Sequence, residues 1–225
     1  MAEELEQFAD ELEKSVDFQA DLPKLIKRVF TEHQRIIFNG NGYDDAWIKE
    51  AEERGLCNLV STADALPMYS APKNVELFVK HGIYTKEEMC ARAEIHVENY
   101  SSVISIEART MVDMIRHDIL PAVSSYADAL CQRAYHKDAL GAACKYETTA
   151  AKQISELTDV LMDTCDKLSA ALADAPADAM DAMVYNHETV LPLMQAAREA
   201  ADKLETITAS EYWPFPVYSD LLFGV

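Results

Sequence analysis

The sequence predicts an all-α protein: an elongated helical bundle with one very long helix, a C-terminal three-helix antiparallel bundle and an irregular aromatic tail. Three observations support this class. Only 6 of the 225 residues are Gly and 8 are Pro, which is too few for a turn-rich β protein. Apolar residues recur at spacings of three and four over long stretches. Thr85 and Glu88 stand at the positions of a capping box, which marks the start of a helix.

The first 84 residues are predicted to form short helices joined by loops. Gly55 and Gly82 each follow a helical segment at the position where a left-handed residue ends a helix. Pro67 and Pro72 are expected to bracket a loop. The predicted helices cover residues 2–35 in two segments, then 44–54 and 74–81.

A very long helix is predicted from Thr85 to about Lys137, because no glycine interrupts the apolar periodicity there. At 1.5 Å per residue it should be about 80 Å long. Pro121 lies inside it, lacks a backbone N–H and crowds the preceding turn. We therefore expect Pro121 to kink or split the helix.

Two shorter helices should follow, over about residues 145–174 and 178–208. Pro192 lies inside the second of them and should bend it. Because short connections make neighbouring helices antiparallel, the C-terminal half of the long helix should form a three-helix bundle with these two.

The charge of the chain limits its partners. The 39 acidic and 20 basic side chains leave a net charge of −19, which would repel nucleic acid and anionic membranes. No apolar stretch approaches the roughly 20 residues that span a bilayer, and the acidic N-terminus does not resemble a signal peptide.

The five cysteines form no C-x-x-C pair and are expected to be reduced and packed as small apolar groups. These observations predict a cytoplasmic protein.

No catalytic, cofactor-binding or metal-binding residue can be assigned from motifs. The segment from Asn39 to Tyr43 has two glycines but lacks the Lys-Ser/Thr of a phosphate loop, so a plain turn is the favoured interpretation. None of the six histidines stands in a metal-binding spacing. Two further groups of residues have two possible interpretations each. Methionines 180, 183 and 194 could form a groove for a partner helix, but core packing is the favoured interpretation. The basic cluster at residues 24–35 could bind an anion or a subunit, but a solvated helix face is the favoured interpretation.

The aromatic tail, residues 210–225, is the predicted interaction segment. Trp213, Phe215 and Phe223 should each pack on an apolar surface, because such side chains are poorly accommodated in water. Two prolines are expected to exclude a helix from the tail. The surface could belong to this chain, to another domain or to a neighbouring subunit. Within this chain, the favoured docking surface is the set of aromatic residues nearer the N-terminus: Phe8, Phe30 and Phe38.

Four stretches together resemble the C-terminal region of type III glutamine synthetases. They are Arg35–Tyr43, the Trp47–Leu59 segment with Glu53-Arg54-Gly55-Leu56, Asp64-Ala65-Leu66-Pro67, and Tyr212-Trp213-Pro214-Phe215-Pro216 followed by Asp220-Leu221-Leu222-Phe223. The resemblance implies an enzyme that makes glutamine from glutamate, ammonia and ATP with Mg²⁺ or Mn²⁺, and that assembles into ring-based homo-oligomers. It also implies that the metal, ATP and glutamate residues lie upstream, so none is carried over to this chain and no cofactor is expected here.

This resemblance gives two functional hypotheses. In the first, residues 1–84 are the helical edge of a catalytic domain and residues 85–225 a long-helix bundle with a docking tail. The chain would then support the enzyme and contact the upstream domain and neighbouring subunits without an active site of its own. In the second, the chain is a free-standing helical module that binds a protein. An independent enzyme is the least favoured alternative.

Overall fold

The all-α class is confirmed. The computed structural model describes residues 1–223, without the side chains of Tyr218 and Ser219, and this part of the chain contains helices and no strand. It divides into two compact units, residues 1–60 and 61–225. The predicted domain division after residue 84 stays a prediction.

The first unit contains three α-helices and one 3₁₀ turn. Asp17 caps α2, because its side chain accepts a hydrogen bond from the backbone N–H of Ala20 at 3.1 Å. The predicted helix before Gly55 is confirmed, and Gly55 has a φ of 76°. The elements are α1 (Ala2–Glu13), α2 (Phe18–Glu32), the 3₁₀ turn (Gln34–Ile36) and α3 (Asp45–Glu53).

Polar and aromatic contacts hold this first unit together more than a core does. Arg28 forms a two-pronged ion pair with Glu11 that joins α2 to α1, with N–O distances of 3.0 and 2.6 Å. Phe38 stacks on Trp47 at 4.0 Å between ring centroids, and the Arg54 guanidinium lies 5.6 Å from the Trp47 ring and donates to the Ile37 carbonyl at 2.8 Å. The buried apolar residues of the unit are few: Leu25 and Ala51.

The second unit begins with two short helices, and here one prediction was wrong. Pro67 does not border a loop but lies inside α4 (Thr62–Tyr69). The helix forms because Ser61 and Asp64 make a complete capping box. It is also held by Ala63, which is buried against the next part of the fold. Pro72 starts α5 (Pro72–Lys80), and the predicted end at Gly82 is confirmed by its φ of 63°.

The very long helix is confirmed, and it is not split at Pro121. It begins at the predicted Thr85–Glu88 capping box and remains helical for 54 residues. Just before Pro121 the helix takes one π turn, in which the Leu120 N–H bonds to the Ile115 carbonyl five residues earlier. This extra residue in the turn accommodates the missing N–H and the bulk of the proline ring. The parts are α6 (Lys86–Met114), the π turn (Ile115–Ile119) and α7 (Leu120–Ala139).

The last predicted helix uses the same device at Pro192. Its π turn (Asn186–Val190) ends two residues before the proline, and the Leu191 N–H bonds to the Asn186 carbonyl. The helix begins at Asp178, whose side chain caps two backbone N–H groups. The remaining elements are α8 (Lys145–Ala173), α9 (Ala179–Tyr185), α10 (Leu191–Ile207) and α11 (Tyr218–Phe223).

The three-helix bundle is built from the long helix, α8 and α10. Arg116 pairs with Asp166 at 2.8 Å, whereas Tyr126, further along the long helix, meets Tyr146, which is earlier on α8. The long helix and α8 are therefore antiparallel. Leucines, isoleucines and valines form the centre of the core, and alanines fill the positions where helices approach closely. Its fully buried members include Val123, Leu130, Ile154, Leu161, Ala197 and Leu204.

An ion pair between a half-exposed lysine and a buried glutamate joins the two helices at the loop between α7 and α8. Glu147 is only 6% exposed, and its carboxylate accepts a hydrogen bond from the Lys137 ammonium. This bond lowers the pKa of Glu147 below its ordinary value of about 4.5. A carboxyl group whose pKa is lowered by folding stabilises the native state above its ordinary pKa, and that contribution disappears as the pH falls through the folded-state pKa.

We predict that Glu147→Gln lowers the melting temperature at pH 7, and that the difference from the unaltered chain shrinks as the pH falls below about 4.5. Thermal unfolding followed by circular dichroism between pH 3 and 7 measures both. Glu156→Gln, at an exposed position of the same helix, is the control and should leave the melting temperature unchanged. A pH-independent effect of Glu147→Gln would show that the ion pair is not responsible.

Candidate interaction surface

The aromatic tail leaves the end of α10 through a tight turn. Thr208 is buried, and its hydroxyl donates to the Leu204 carbonyl at 2.7 Å. The Tyr212 N–H then donates to the Ala209 carbonyl at 2.8 Å, and the Trp213 N–H to the same carbonyl at 3.2 Å. This turn reverses the chain immediately after α10, so the tail meets the bundle that precedes it.

Trp213 and Phe215 are partly buried against the core of this bundle. Their rings meet edge to face, with centroids 6.3 Å apart and planes at 78°. Tyr212 packs on Tyr126 of the long helix at 5.0 Å. The choice of Phe8, Phe30 and Phe38 as the receiving surface is corrected: the surface that receives these rings is the bundle itself. The physical reason is the short turn after α10, which presents the rings to the nearest apolar surface.

Phe223 is 77% exposed in the described chain, so its packing on an apolar surface stays a prediction. One further expectation about the tail was wrong. The tail contains a helix, α11, which begins two residues after Pro216, where the proline ring no longer obstructs it. Asp220 supports its start by accepting a hydrogen bond from the Val217 N–H at 3.1 Å. Leu221 and Leu222, next to Phe223, are also exposed.

The packed part of the tail forms one wall of an apolar groove of about 730 Å³, which we call the tail groove. Its other walls are α6, the first π turn and α10. Three methionines are among its lining residues. Charged residues of both signs also line it, including Arg198 and Asp202, which form an ion pair at 2.5 Å. The residues that define the groove are Met111, Met114, Ile115, Met194, Trp213 and Phe215.

The three methionines singled out in the sequence have different surroundings. Met183 is fully buried, as the core-packing interpretation predicts, whereas Met194 lines the tail groove and Met180 is 43% exposed. Met111 and Met114 were not recognised as groove residues. Met111 belongs to the apolar stripe of the long helix, and periodicity alone does not separate a stripe residue that is covered from one beside a groove.

The titratable groups near the bundle core are not those of an activated nucleophile. The hydrogen bond shared with Tyr146, together with burial, raises the pKa of Tyr126 to about 12. Burial raises the pKa of the Cys165 thiol, so its reactive thiolate form is disfavoured. Cys165 is the buried thiol expected from the sequence, but Cys57, Cys90 and Cys131 are exposed rather than packed.

The remaining sequence features have simple structural roles. The Asn41 side chain accepts a hydrogen bond from the Tyr43 N–H at 3.1 Å, which closes the glycine-containing turn. In the basic cluster, Lys24 pairs with Asp21, and Arg28 with Glu11 and Glu32. Within residues 1–223, no three His, Cys, Asp or Glu side chains are grouped so that they could hold a metal ion. No helix among the same residues is long and apolar enough to cross a membrane.

Comparison with known proteins identifies the family. A family model described as the glutamine synthetase C-terminal domain matches residues 21–138, which is more than half of the chain. The chain belongs to the glutamine synthetase family. The resemblance to the C-terminal region of the type III enzymes is thereby confirmed.

Three relatives of the glutamine synthetase family align with nearly the whole chain. A glutamine synthetase from Butyrivibrio fibrisolvens is 34% identical over 220 residues, which cover 96% of this chain and 31% of that protein. A type-3 glutamine synthetase from Dictyostelium discoideum is 30% identical, with 91% of this chain and 29% of that protein covered. A glutamine synthetase from Bacteroides fragilis is 26% identical, with 99% and 32% covered. The chain spans about a third of the length of these relatives.

We predict that Trp213→Ala lowers the free energy of unfolding by about 1–2 kcal/mol, because it removes a large aromatic side chain that is partly buried against the core. For a chain of this size that corresponds to a fall of about 2–8 °C in the melting temperature. Differential scanning calorimetry measures the change. Phe223→Ala is the matched control and should leave the melting temperature unchanged, since Phe223 is exposed. Equal effects of the two substitutions would contradict the packing described above.

Proposed function

We propose that this chain is the helical C-terminal part of a type III-like glutamine synthetase, and that it acts as a structural and subunit-contact region without an active site of its own. The full-length enzyme would join ammonia to glutamate with ATP. The partners of the chain would be the upstream catalytic domain and neighbouring subunits of a homo-oligomer.

One observation carries this proposal: residues 1–60 form a unit that leaves apolar side chains of its own helices exposed. Ile26 is 46% exposed, Phe30 61% and Leu5 61%, although each lies on a helix with an amphipathic pattern. Monomeric proteins rarely expose so much apolar surface without a partner. A second protein surface that covers these helices explains why they are amphipathic and yet almost without buried residues.

The absence of a grouped set of acidic, His or Cys ligands in the described chain agrees with a catalytic centre elsewhere in the enzyme. The residues here do not fit Mg²⁺ or Mn²⁺ with ATP, because a divalent metal with a bound nucleotide needs carboxylate ligands in close groups. We therefore assign no step of the reaction to a residue of this chain.

The alternative function is a free-standing helical module that binds a protein partner. The tail groove is the observation that favours it, since a methionine-rich apolar groove can accept a partner helix. In the first proposal, the exposed face of α2 makes contacts within the longer enzyme. In the second, the chain functions without those contacts.

We predict that the isolated chain forms no glutamine from ATP, glutamate and ammonia, and that it does not bind Mg-ATP in the micromolar range. The reason is the absence of grouped metal ligands from its described residues. Isothermal titration calorimetry measures the binding, and a coupled assay of glutamine formation measures the activity. Micromolar binding of Mg-ATP would refute the assignment of the catalytic centre to another part of the enzyme.

The subunit-contact role is tested by a chimera in which this chain replaces the matching third of the Butyrivibrio fibrisolvens glutamine synthetase. We predict that the chimera assembles and forms glutamine, and that Ile26→Ser with Phe30→Ser abolishes assembly and activity. In the isolated chain, the same double substitution should lower the free energy of unfolding by about 1–3 kcal/mol and leave the bundle folded, because Ile26 is 46% and Phe30 61% exposed and only the covered part of each side chain is lost there.

Lys27→Ser on the same helix is the control for the chimera, since Lys27 is exposed and carries no apolar contact surface of comparable size. Size-exclusion chromatography with light scattering reports the assembly. A chimera that assembles equally well with and without the double substitution would contradict the role of α2 in contacts and favour the free-standing module.

A further inference from the structure

The second unit also has a small pocket that is lined in part by polar side chains, which we call the polar pocket. It has a volume of about 380 Å³ and is bordered by α6, the turn before α9 and the second π turn. Its polar lining consists of three serines on one side of α6, one arginine a turn further along, and one asparagine. These residues are Ser101, Ser102, Ser105, Arg109 and Asn186. Pockets of this volume accept small molecules.

The deepest polar group of the pocket has no hydrogen-bond partner. Asn186 is 2% exposed, and its Oδ1 atom is buried without a donor within reach in the described chain. Buried side-chain acceptors are almost always satisfied, so an unpaired one in a pocket indicates a missing donor. Asn186 is also the first residue of the second π turn, a backbone feature that is frequent at functional sites.

The hydroxyl of Ser101 lacks a partner as well. Its Oγ atom is buried and unpaired. Elsewhere in this unit, helical hydroxyls donate to the carbonyl four residues earlier, as those of Thr110, Ser125 and Ser155 do at distances of 2.8–2.9 Å. The Ser101 hydroxyl therefore has an unused hydrogen-bond donor, and Ser101 lines the same pocket as Asn186.

The charge of the pocket is positive, in a chain whose net charge is −19. Arg109 supplies it, and the lining contains no acidic side chain. Within the described part of the chain, no carboxylate forms an ion pair with Arg109. A free guanidinium beside hydroxyl groups is a favourable arrangement for binding a carboxylate through charge-assisted hydrogen bonds.

We propose that this pocket binds a small carboxylate that also carries an N–H or O–H donor, the chemistry shared by amino acids and hydroxy acids. Arg109 and the serine hydroxyls bind the carboxylate, and Asn186 Oδ1 accepts the donor. The inference stands on the pocket alone and does not depend on the role of the chain in glutamine synthesis.

The test is a titration of the ¹⁵N-labelled 225-residue chain with L-alanine, glycolate and acetate, followed by NMR at the side-chain amide of Asn186. We expect L-alanine or glycolate to shift this amide saturably, and the preferred one identifies the donor as an amine or a hydroxyl. Acetate, which has no donor beside its carboxylate, should bind at least about fivefold more weakly, since one hydrogen bond is lost. Equal binding of acetate, or no saturable shift from any of the three at tens of millimolar, overturns the proposal.

Substitutions check that the binding occurs in this pocket. Arg109→Gln should weaken binding at least about fivefold, whereas Arg133→Gln makes the same charge change at an exposed position of α7 and should leave the affinity unchanged.

Asn186→Asp keeps the size of the side chain but places a negative charge beside the ligand, and should abolish binding. Ser101→Ala covers the case in which the Asn186 variant unfolds. It should weaken binding without lowering the melting temperature, since the hydroxyl is unpaired in the free chain. Unchanged affinity in Arg109→Gln would overturn the assignment.

Discussion

The fold of residues 61–223 depends on the burial of one apolar stripe of the long helix between α8 and α10. Val123 and Leu130 on the long helix, Ile154 and Leu161 on α8, and Leu204 on α10 are all 0% exposed. In proteins most helical stability comes from the packing of an apolar face, so the burial of this stripe supplies most of what holds the long helix. The other features of this unit, including the position of the tail, follow from the spacing of these three helices.

Both prolines inside the bundle are accommodated by a π turn. In each case the proline follows a leucine, and the π turn ends immediately before that leucine. The extra residue in the turn shifts the register of the side chains, so residues that follow the proline keep facing the core. Each π turn also contributes to a surface feature of the bundle, since Ile115 lines the tail groove and Asn186 lines the polar pocket.

The two units differ in how much of their apolar surface they bury. The second unit has a continuous core, with fully buried residues from three long helices. The first is held mainly by the Arg28–Glu11 pair and the stack of Phe38 on Trp47, and leaves most of its apolar residues exposed. Surface ion pairs contribute little to stability. The proposed contact of the first unit with an upstream catalytic domain would explain this contrast.

The sequence by itself determined the helical elements, because their signals are local. The Thr85–Glu88 capping box, the glycines at 55 and 82 and the three-four spacing each act within a few residues, and each predicted the element that forms. At Pro67 the local signals conflict. The proline predicted the border of a loop, but the Ser61–Asp64 capping box and the burial of Ala63 outweigh it.

Only the tertiary structure decided which apolar surface receives the tail, because that depends on the distance between residues far apart in the chain. Trp213 and Phe223 look equivalent in sequence, yet one packs on the bundle and the other is exposed. The polar pocket likewise joins Ser101 to Asn186, which are 85 positions apart in the sequence. No motif links them, because their proximity arises from the antiparallel return of the chain through α8.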